Sequence, residues 1–147
     1  MKIFSNTIVR FRADYIDDDG EPAKERRYLV ISVNKKRILL LKITSRFKSL
    51  FYQKCVGYDK CLDKKSYVNL NRKIIFDILS LEKNNYQKFY LCGHHSDGCV
   101  ENKRFENIKN KLGKYWESEF NRDKEKILLD WSDLKDIEIN SEGNYFY

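Results

Sequence analysis

Residues 28–43 read YLVISVNKKRILLLKI. Two apolar runs, Tyr28–Val33 and Arg37–Ile43, flank the short polar link Asn34-Lys35-Lys36. Runs of this length, rich in Val, Ile and Leu and separated by so few residues, predict two mostly buried strands of an antiparallel hairpin. Upstream, Ile8–Tyr15 alternates after Val9: Phe11, Ala13 and Tyr15 fall on one face and Arg10, Arg12 and Asp14 on the other. That is the period of a strand. Between it and the hairpin lies Ile16–Glu25, with Asp17-Asp18-Asp19-Gly20 and the only proline, Pro22, a composition that predicts a polar surface loop.

Downstream of the hairpin, Thr44–Tyr52 reads as a loop or a single helical turn. Ser66–Ile78 carries a strand whose alternation slips at an Asn71–Lys73 turn, and Lys88–Cys92 is a further short strand. From Asn102 the period changes to 3.6: Phe105, Ile108, Leu112, Tyr115 and Trp116 form one helical stripe, with Lys103, Lys109 and Lys111 outside it. The tail, Arg122–Asn140, reads as a second short helix, Asp123–Leu129, followed by a polar stretch holding Trp131. Many short strands before a late helix predict a mainly β fold with α additions (α+β). The expected form is a small SH3-like barrel of antiparallel strands with a C-terminal helix packed on it. The 147 residues suit one domain spanning 1–147, with the barrel over about 1–100 and the helical part over about 101–147.

Composition narrows the function. A hydrophobic share of 41% and an aromatic share of 14% argue for a packed core over disorder. Twenty-nine Lys+Arg against 22 Asp+Glu give a net charge of +7, which favours polyanionic partners through counterion release. The first residues have neither the apolar stretch nor the cleavage site of a signal peptide, and no run approaches the ~20 apolar residues of a membrane span. A cytoplasmic location is expected, with Cys55, Cys61, Cys92 and Cys99 reduced. Cys92-Gly93-His94-His95 with Cys99 lacks the spacing of a zinc site, so neither a metal nor another cofactor is expected.

The charge is unevenly spread. From Asn34 to Cys55 the chain carries Lys35, Lys36, Arg37, Lys42, Arg46, Lys48 and Lys54 without one acid, and Phe47, Phe51 and Tyr52 lie among them. Cations beside aromatics suit single-stranded RNA, whose phosphates need neutralising and whose unstacked bases lie on rings. A solvated hairpin with core aromatics accounts for the same residues. Within this segment Thr44-Ser45-Arg46-Phe47-Lys48 puts two hydroxyls at a strand end with cations directly after. Hydroxyls can hydrogen-bond a phosphate oxygen, and cations can stabilise charge growing on phosphorus. RNA brings its own nucleophile, the 2′-OH. Arg26-Arg27, opening the preceding strand, can lie at the same rim and donate two hydrogen bonds to phosphate, or can pair with Glu21 or Glu25.

The order of these pieces resembles the MazF/PemK-like toxin superfamily. The corresponding stretches are IVRFRADY, IDDDGEPAKE, RRYLVIS, RILLLKITS, SYVNLNRKIIFDI and the helix from about Asn102. Arg26 falls on the family arginine, with Arg27 where proline is usual, and Thr44 falls on the catalytic hydroxyl position. Thr44-Ser45 followed closely by a lysine looks more like the ToxN/CptN branch, whose antitoxins are small RNAs. The resemblance covers roughly Ile8 to Trp116. It implies the toxin of a toxin–antitoxin pair, a metal-independent endoribonuclease that leaves a 2′,3′-cyclic phosphate and a 5′-hydroxyl.

On that resemblance Lys48 or Arg26 stabilises charge and moves the proton, Thr44 and Ser45 orient the scissile phosphate, and Arg46 binds substrate. His94 or His95 is chemically the better acid, though nothing in the sequence places either at the site. Lys35, Lys36, Arg37, Lys42, Phe47, Tyr52 and Lys54 complete the expected RNA contacts. The implied partners are substrate RNA and a repeat-derived RNA antitoxin, with a protein antitoxin as the other option, no membrane, and a homo-oligomer or a toxin–RNA ring. The competing reading is a non-catalytic SH3-like module that binds RNA or protein. A DNA-binding regulator fits less well, because no helix-turn-helix is visible.

Overall fold

The computed structural model describes residues 2–45, 52–55, 66–92, 98–118 and 124–137, with only the backbone described over 52–55. The strands are β1 (Ile8–Ala13), β2 (Arg26–Val33), β3 (Arg37–Thr44), β4 (Tyr52–Cys55), β5 (Ser66–Asn69), β6 (Arg72–Asp77), β7 (Tyr90–Leu91), β8 (Glu125–Leu129) and β9 (Leu134–Lys135). The helices are α1 (Ile78–Lys83) and α2 (Asn102–Glu117), and Trp131–Asp133 forms a 3-10 turn. Mainly β with α additions is therefore the architecture.

The hairpin is the centre of the sheet. β2 and β3 pair antiparallel with Tyr28 opposite Lys42, Leu29 opposite Leu41 and Val30 opposite Leu40, and a bulge follows at Ile31. The free edge of β3 serves two partners in succession: Arg37–Leu40 pairs with β6, and Ile43–Thr44 with β5. β1 lies on the outer edge of β2, with β7 and β9 beyond it. β8 and β9 are consecutive strands joined through the 3-10 turn, yet they sit at opposite ends of the ladder, β8 on β6 and β9 on β1. The chain thus bridges the two sheet edges covalently, while hydrogen bonding between described strands does not close the ring.

Both faces of the central strands are buried. Val9, Phe11, Tyr28, Val30, Ile38, Leu40, Ile74 and Phe76 form an inner core, and Ile8, Leu29, Ile31, Leu41 and Ile43 form an outer one covered by α2. This two-sided burial explains why β2 and β3 read as continuous apolar runs. In the inner core the Phe11 ring stacks on Tyr28 at 4.1 Å and meets Phe89 at 5.4 Å and Phe76 at 5.5 Å. On α2, Phe105, Ile108 and Leu112 are buried, with Tyr115 and Trp116 packed against the same cluster. Asn6 ties the entry to that helix onto the sheet: its amide donates to the Val100 carbonyl and accepts from the Val100 N–H. Gly98 has a φ of +93°, and a Cβ there would collide with the Asn6 amide, so only glycine fits this approach.

Three expectations are corrected. The helix expected over Asp123–Leu129 is instead β8, running parallel to β6 with Lys73 beside Lys126 and Phe76 beside Leu129. A helix of so few residues cannot sustain itself, and the edge of β6 offers the segment hydrogen bonds it would otherwise lack. The turn expected at Asn71–Lys73 within the Ser66–Ile78 run lies slightly earlier, at Leu70-Asn71, and divides the run into β5 and β6, and Ile78 begins α1, whose N-terminus is capped by the Asp77 carboxylate. Cys99, expected as a thiol, is disulfide-bonded, while Cys92 is a buried thiol.

Phe11→Ala removes the ring on which three others converge and is expected to cost about 3–5 kcal/mol of unfolding free energy. Urea denaturation followed by tryptophan fluorescence checks this, and a loss below about 1 kcal/mol contradicts the packing described.

Candidate functional site

The register of the central hairpin decides which predicted residues meet. Two positions beyond the Tyr28–Lys42 pair, in opposite directions along their strands, stand Arg26 and Thr44. The side-chain period of two puts Arg26 on the face of Tyr28, and Thr44 on the face of Lys42. Both therefore occupy one end of the β2–β3 ladder, on the inner-core side, and both are half-buried. Ser45 follows at a bend and is exposed. Arg46, Phe47 and Lys48 lie outside the described residues, as do His94 and His95. Tyr52 and Lys54 are placed by their backbone on β4, which joins this end of the sheet by pairing with β5.

The floor beneath that rim is a buried polar network the sequence reading did not anticipate. Lys42 donates to the Asp17 carboxylate at 2.6 Å and to Asp18 at 3.0 Å. Arg72, at the start of β6, holds Asp17 from the other side at 3.5 Å, and also reaches the Ile16 carbonyl at 2.7 Å and Glu125 at 3.2 Å. The side chains of Lys42 and Asp17 are only 7% and 5% exposed. Lys42, expected to contact RNA, is thereby corrected: its ammonium is neutralised inside the molecule. Asp17, expected in a surface loop, turns inward to meet it.

Two phenols complete the floor. The hydroxyls of Tyr15 and Tyr28 share a hydrogen bond of 2.6 Å, and the Arg72 guanidinium stands 5.9 Å from the Tyr15 ring centre. Burial pushes the Tyr15 phenol up to about 12, opposed by its bond to Tyr28 and reinforced by Asp17. Burial, then the neighbouring Tyr15, raises Tyr28 well above its ordinary value. Neither phenol gives up a proton near neutrality. The void among Tyr15, Asp17, Lys42, Asn69, Arg72 and Ile74 measures only about 10 Å³, room for one water at most. A ligand at this end must lie above the network, on Arg26, Thr44 and Ser45.

The arginine pair divides between the two faces of β2. Arg26 donates to the Glu25 carbonyl at 3.1 Å, and among the described residues it makes no ion pair. The Glu25 carboxylate pairs with Arg10 instead, the residue opposite Arg27 in the ladder. Arg27 therefore belongs to the outer face, away from Thr44.

Lys35, Lys36 and Arg37 are exposed but sit at the far end of the hairpin. Arg37 and Thr44 are the first and last residues of the 8-residue β3, roughly 23 Å apart along an extended strand. Lys36 and Arg37 line an open groove of about 480 Å³ whose other walls include Asp77, Asp130 and Asp133, so their charge already faces carboxylates. The basic segment read as continuous is thus split between opposite ends of one strand. A lysine at the inner-face parity of β3, after Ile38 and Leu40, was the available signal that Lys42 needed a buried acid, and the Asp17–Asp19 loop was the obvious source of an acceptor.

No family model matches this chain, and no curated protein matches it.

Asp17→Ala leaves the Lys42 ammonium without its nearest partner and is expected to cost about 3–5 kcal/mol. Lys42→Met should cost less, because it leaves Asp17 paired with Arg72, whereas Asp17→Ala takes a carboxylate from both Lys42, which keeps only Asp18, and Arg72. Urea unfolding of both variants checks the order, and equal small losses contradict it. Because Tyr15 loses its proton only near pH 12 when folded but near 10 when unfolded, its contribution is full below pH 10 and disappears as pH rises through about 12. Phenolate absorbance of the native protein minus that of Tyr15→Phe should rise near pH 12, and a rise centred near 10 contradicts burial of this hydroxyl.

Proposed function

We propose that the protein is a metal-independent endoribonuclease acting on single-stranded RNA, the toxin of a toxin–antitoxin pair, with its site at the β2–β3 rim. The observation that carries this reading is the placement of Arg26 and Thr44 at one end and on one face of the hairpin. In this reading the wrapped sheet is an SH3-like barrel of the MazF/PemK type, and the ToxN/CptN branch is the nearest likeness. The Thr44 and Ser45 hydroxyls hold a non-bridging oxygen of the scissile phosphate. Arg26 faces the charge that grows as the substrate 2′-OH attacks phosphorus, and the 5′-oxygen leaves as a hydroxyl. Lys48 is the remaining cation of the set and Arg46 binds the flanking chain. The reaction needs only in-line geometry, electrostatic stabilisation and proton transfer, with no cofactor.

A non-catalytic RNA- or protein-binding module is the second reading. One observation favours it: among the described residues at the rim, the titratable groups with resolved shifts are phenols raised away from neutrality. The partners under the main reading are substrate RNA and a small RNA antitoxin, with a protein antitoxin as the alternative and a ring or homo-oligomer as the assembly. The proposed location is the cytoplasm. Among the described residues no helix is long and apolar enough to cross a membrane. The disulfide at Cys99 is unusual for a reducing compartment.

Expression of the intact protein is expected to arrest growth, and Thr44→Ala, Ser45→Ala and Lys48→Ala should each relieve the arrest while the protein stays folded. With end-labelled RNA in excess chelator, the purified protein should release products ending in 2′,3′-cyclic phosphate, with Thr44→Ala at least about 10²-fold slower. Binding without cleavage supports the module, and unchanged toxicity in all three variants removes the site.

A further inference from the structure

On the opposite face of the sheet from Thr44, three lysines converge on one indole. The Lys73 ammonium stands 4.4 Å from the Trp116 ring centre, and those of Lys124 and Lys126 each stand 5.9 Å away. Three separate elements bring them there: Lys73 from β6, Lys124 and Lys126 from the β8 segment, and Trp116 from the last turn of α2. The indole is fixed, because its Nε1 donates to the Leu70 carbonyl at 2.7 Å.

Lys73 and Lys126 are direct partners in the parallel ladder, an arrangement of like charges that works against the fold. The alternation of β8 sends its acid, Glu125, to the other face, where it meets Arg72. Among the described residues no carboxylate pairs with any of the three ammoniums. Lys124 is satisfied by the carbonyls of Trp116 at 2.8 Å and Ser118 at 3.0 Å, the negative end of α2. Among the described residues Lys73 and Lys126 have no comparable acceptor. The strain shows in Lys73, whose ammonium is held below its ordinary range, first by burial and then by Lys126 and Lys124.

Two positive charges opposed on a ladder, with a third beside them and the acid turned away, form a seat for an anion. The indole face is already covered by ammonium groups, so the seat takes charge and not a stacked base. Arg72 and Lys73 are adjacent residues at the rim end of β6, so an extended polyanion can pass from the rim around this edge of the sheet. We propose that Lys73 and Lys126, positioned over Trp116 with Lys124, form a second RNA contact that holds the phosphodiester backbone outside the cleavage site. The proposal rests on the preceding reading only in taking RNA as the ligand, and not on cleavage.

The test uses the full chain and a fluorescent single-stranded RNA with 2′-O-methyl riboses, which cannot be cut through the 2′-oxygen. Its affinity is read by anisotropy across a salt series. Lys73→Gln/Lys126→Gln should weaken binding about tenfold near 0.1 M salt and lower the log–log salt slope by about 1.4, as two single-strand phosphate contacts are lost. Its Tm without RNA should equal or exceed that of the intact protein, since the opposed charges are gone. A control of equal charge change on exposed lysines, Lys24→Gln/Lys103→Gln, should shift affinity less than twofold. Unchanged affinity and slope in the first variant overturn the proposal, as does an equal loss in the control. An equal loss of affinity for polyglutamate overturns RNA as the ligand. Because the probe is uncleavable, failure of the nuclease reading does not alter any of these outcomes.

Discussion

A single buried ammonium organises the end of this molecule where function is proposed. Lys42 lies on the inner face of the central hairpin and is bound by Asp17 and Asp18 from the preceding loop, with Arg72 closing the network from β6. Burying a charge is unfavourable unless paired, and breaking such a pair costs far more than its net contribution to stability. The loop from Ile16 to Glu25 is therefore held down at its acidic turn, and β2 starts directly from it. The position of Arg26 beside the end of β3 follows from that constraint, because the loop fixes where the strand begins and the ladder fixes what stands across from it.

The network also separates two kinds of basic residue. Lys42 and Arg72 are consumed in holding the fold, Lys36 and Arg37 share a groove with acids, and Arg27 faces away beside Arg10. Net positive charge is thus a poor guide to where a polyanion sits. Arg26 at the rim and the Lys73–Lys126 pair over Trp116 are held in place by the fold without an ion pair among the described residues. They lie on opposite faces of the same end of the sheet, which makes a single extended strand of RNA an economical ligand for both.

Much of the framework was legible in the sequence, for identifiable reasons. Strands β1 to β3 declare themselves by alternation or by uninterrupted apolar runs, and α2 by a stripe in which Phe105, Ile108 and Leu112 recur at helical spacing. β8 was not legible, since KEKILL satisfies a helix as well as a strand and only the exposed edge of β6 decides. The break in the Ser66–Ile78 run was legible as a slip of the alternation at Asn71–Lys73, but its exact place at Leu70-Asn71 and the start of α1 at Ile78 were not. For the site, shared placement of Arg26 and Thr44 was readable from hairpin register. The separation of Lys36 from Thr44 follows from strand length as well, and the parity of Lys42 called for a buried acid. Which carboxylate of the Asp17–Asp19 loop turns inward was not readable, because that depends on how the loop folds back onto the hairpin.

In the proposed reaction the RNA supplies its own nucleophile to the phosphate held at the rim. The decisive comparison sets one RNA against the same sequence bearing a single 2′-deoxyribose at the mapped cleavage position. The first should be cleaved, and the backbone at that position in the second should stay intact. Equal cleavage of both would contradict this reaction.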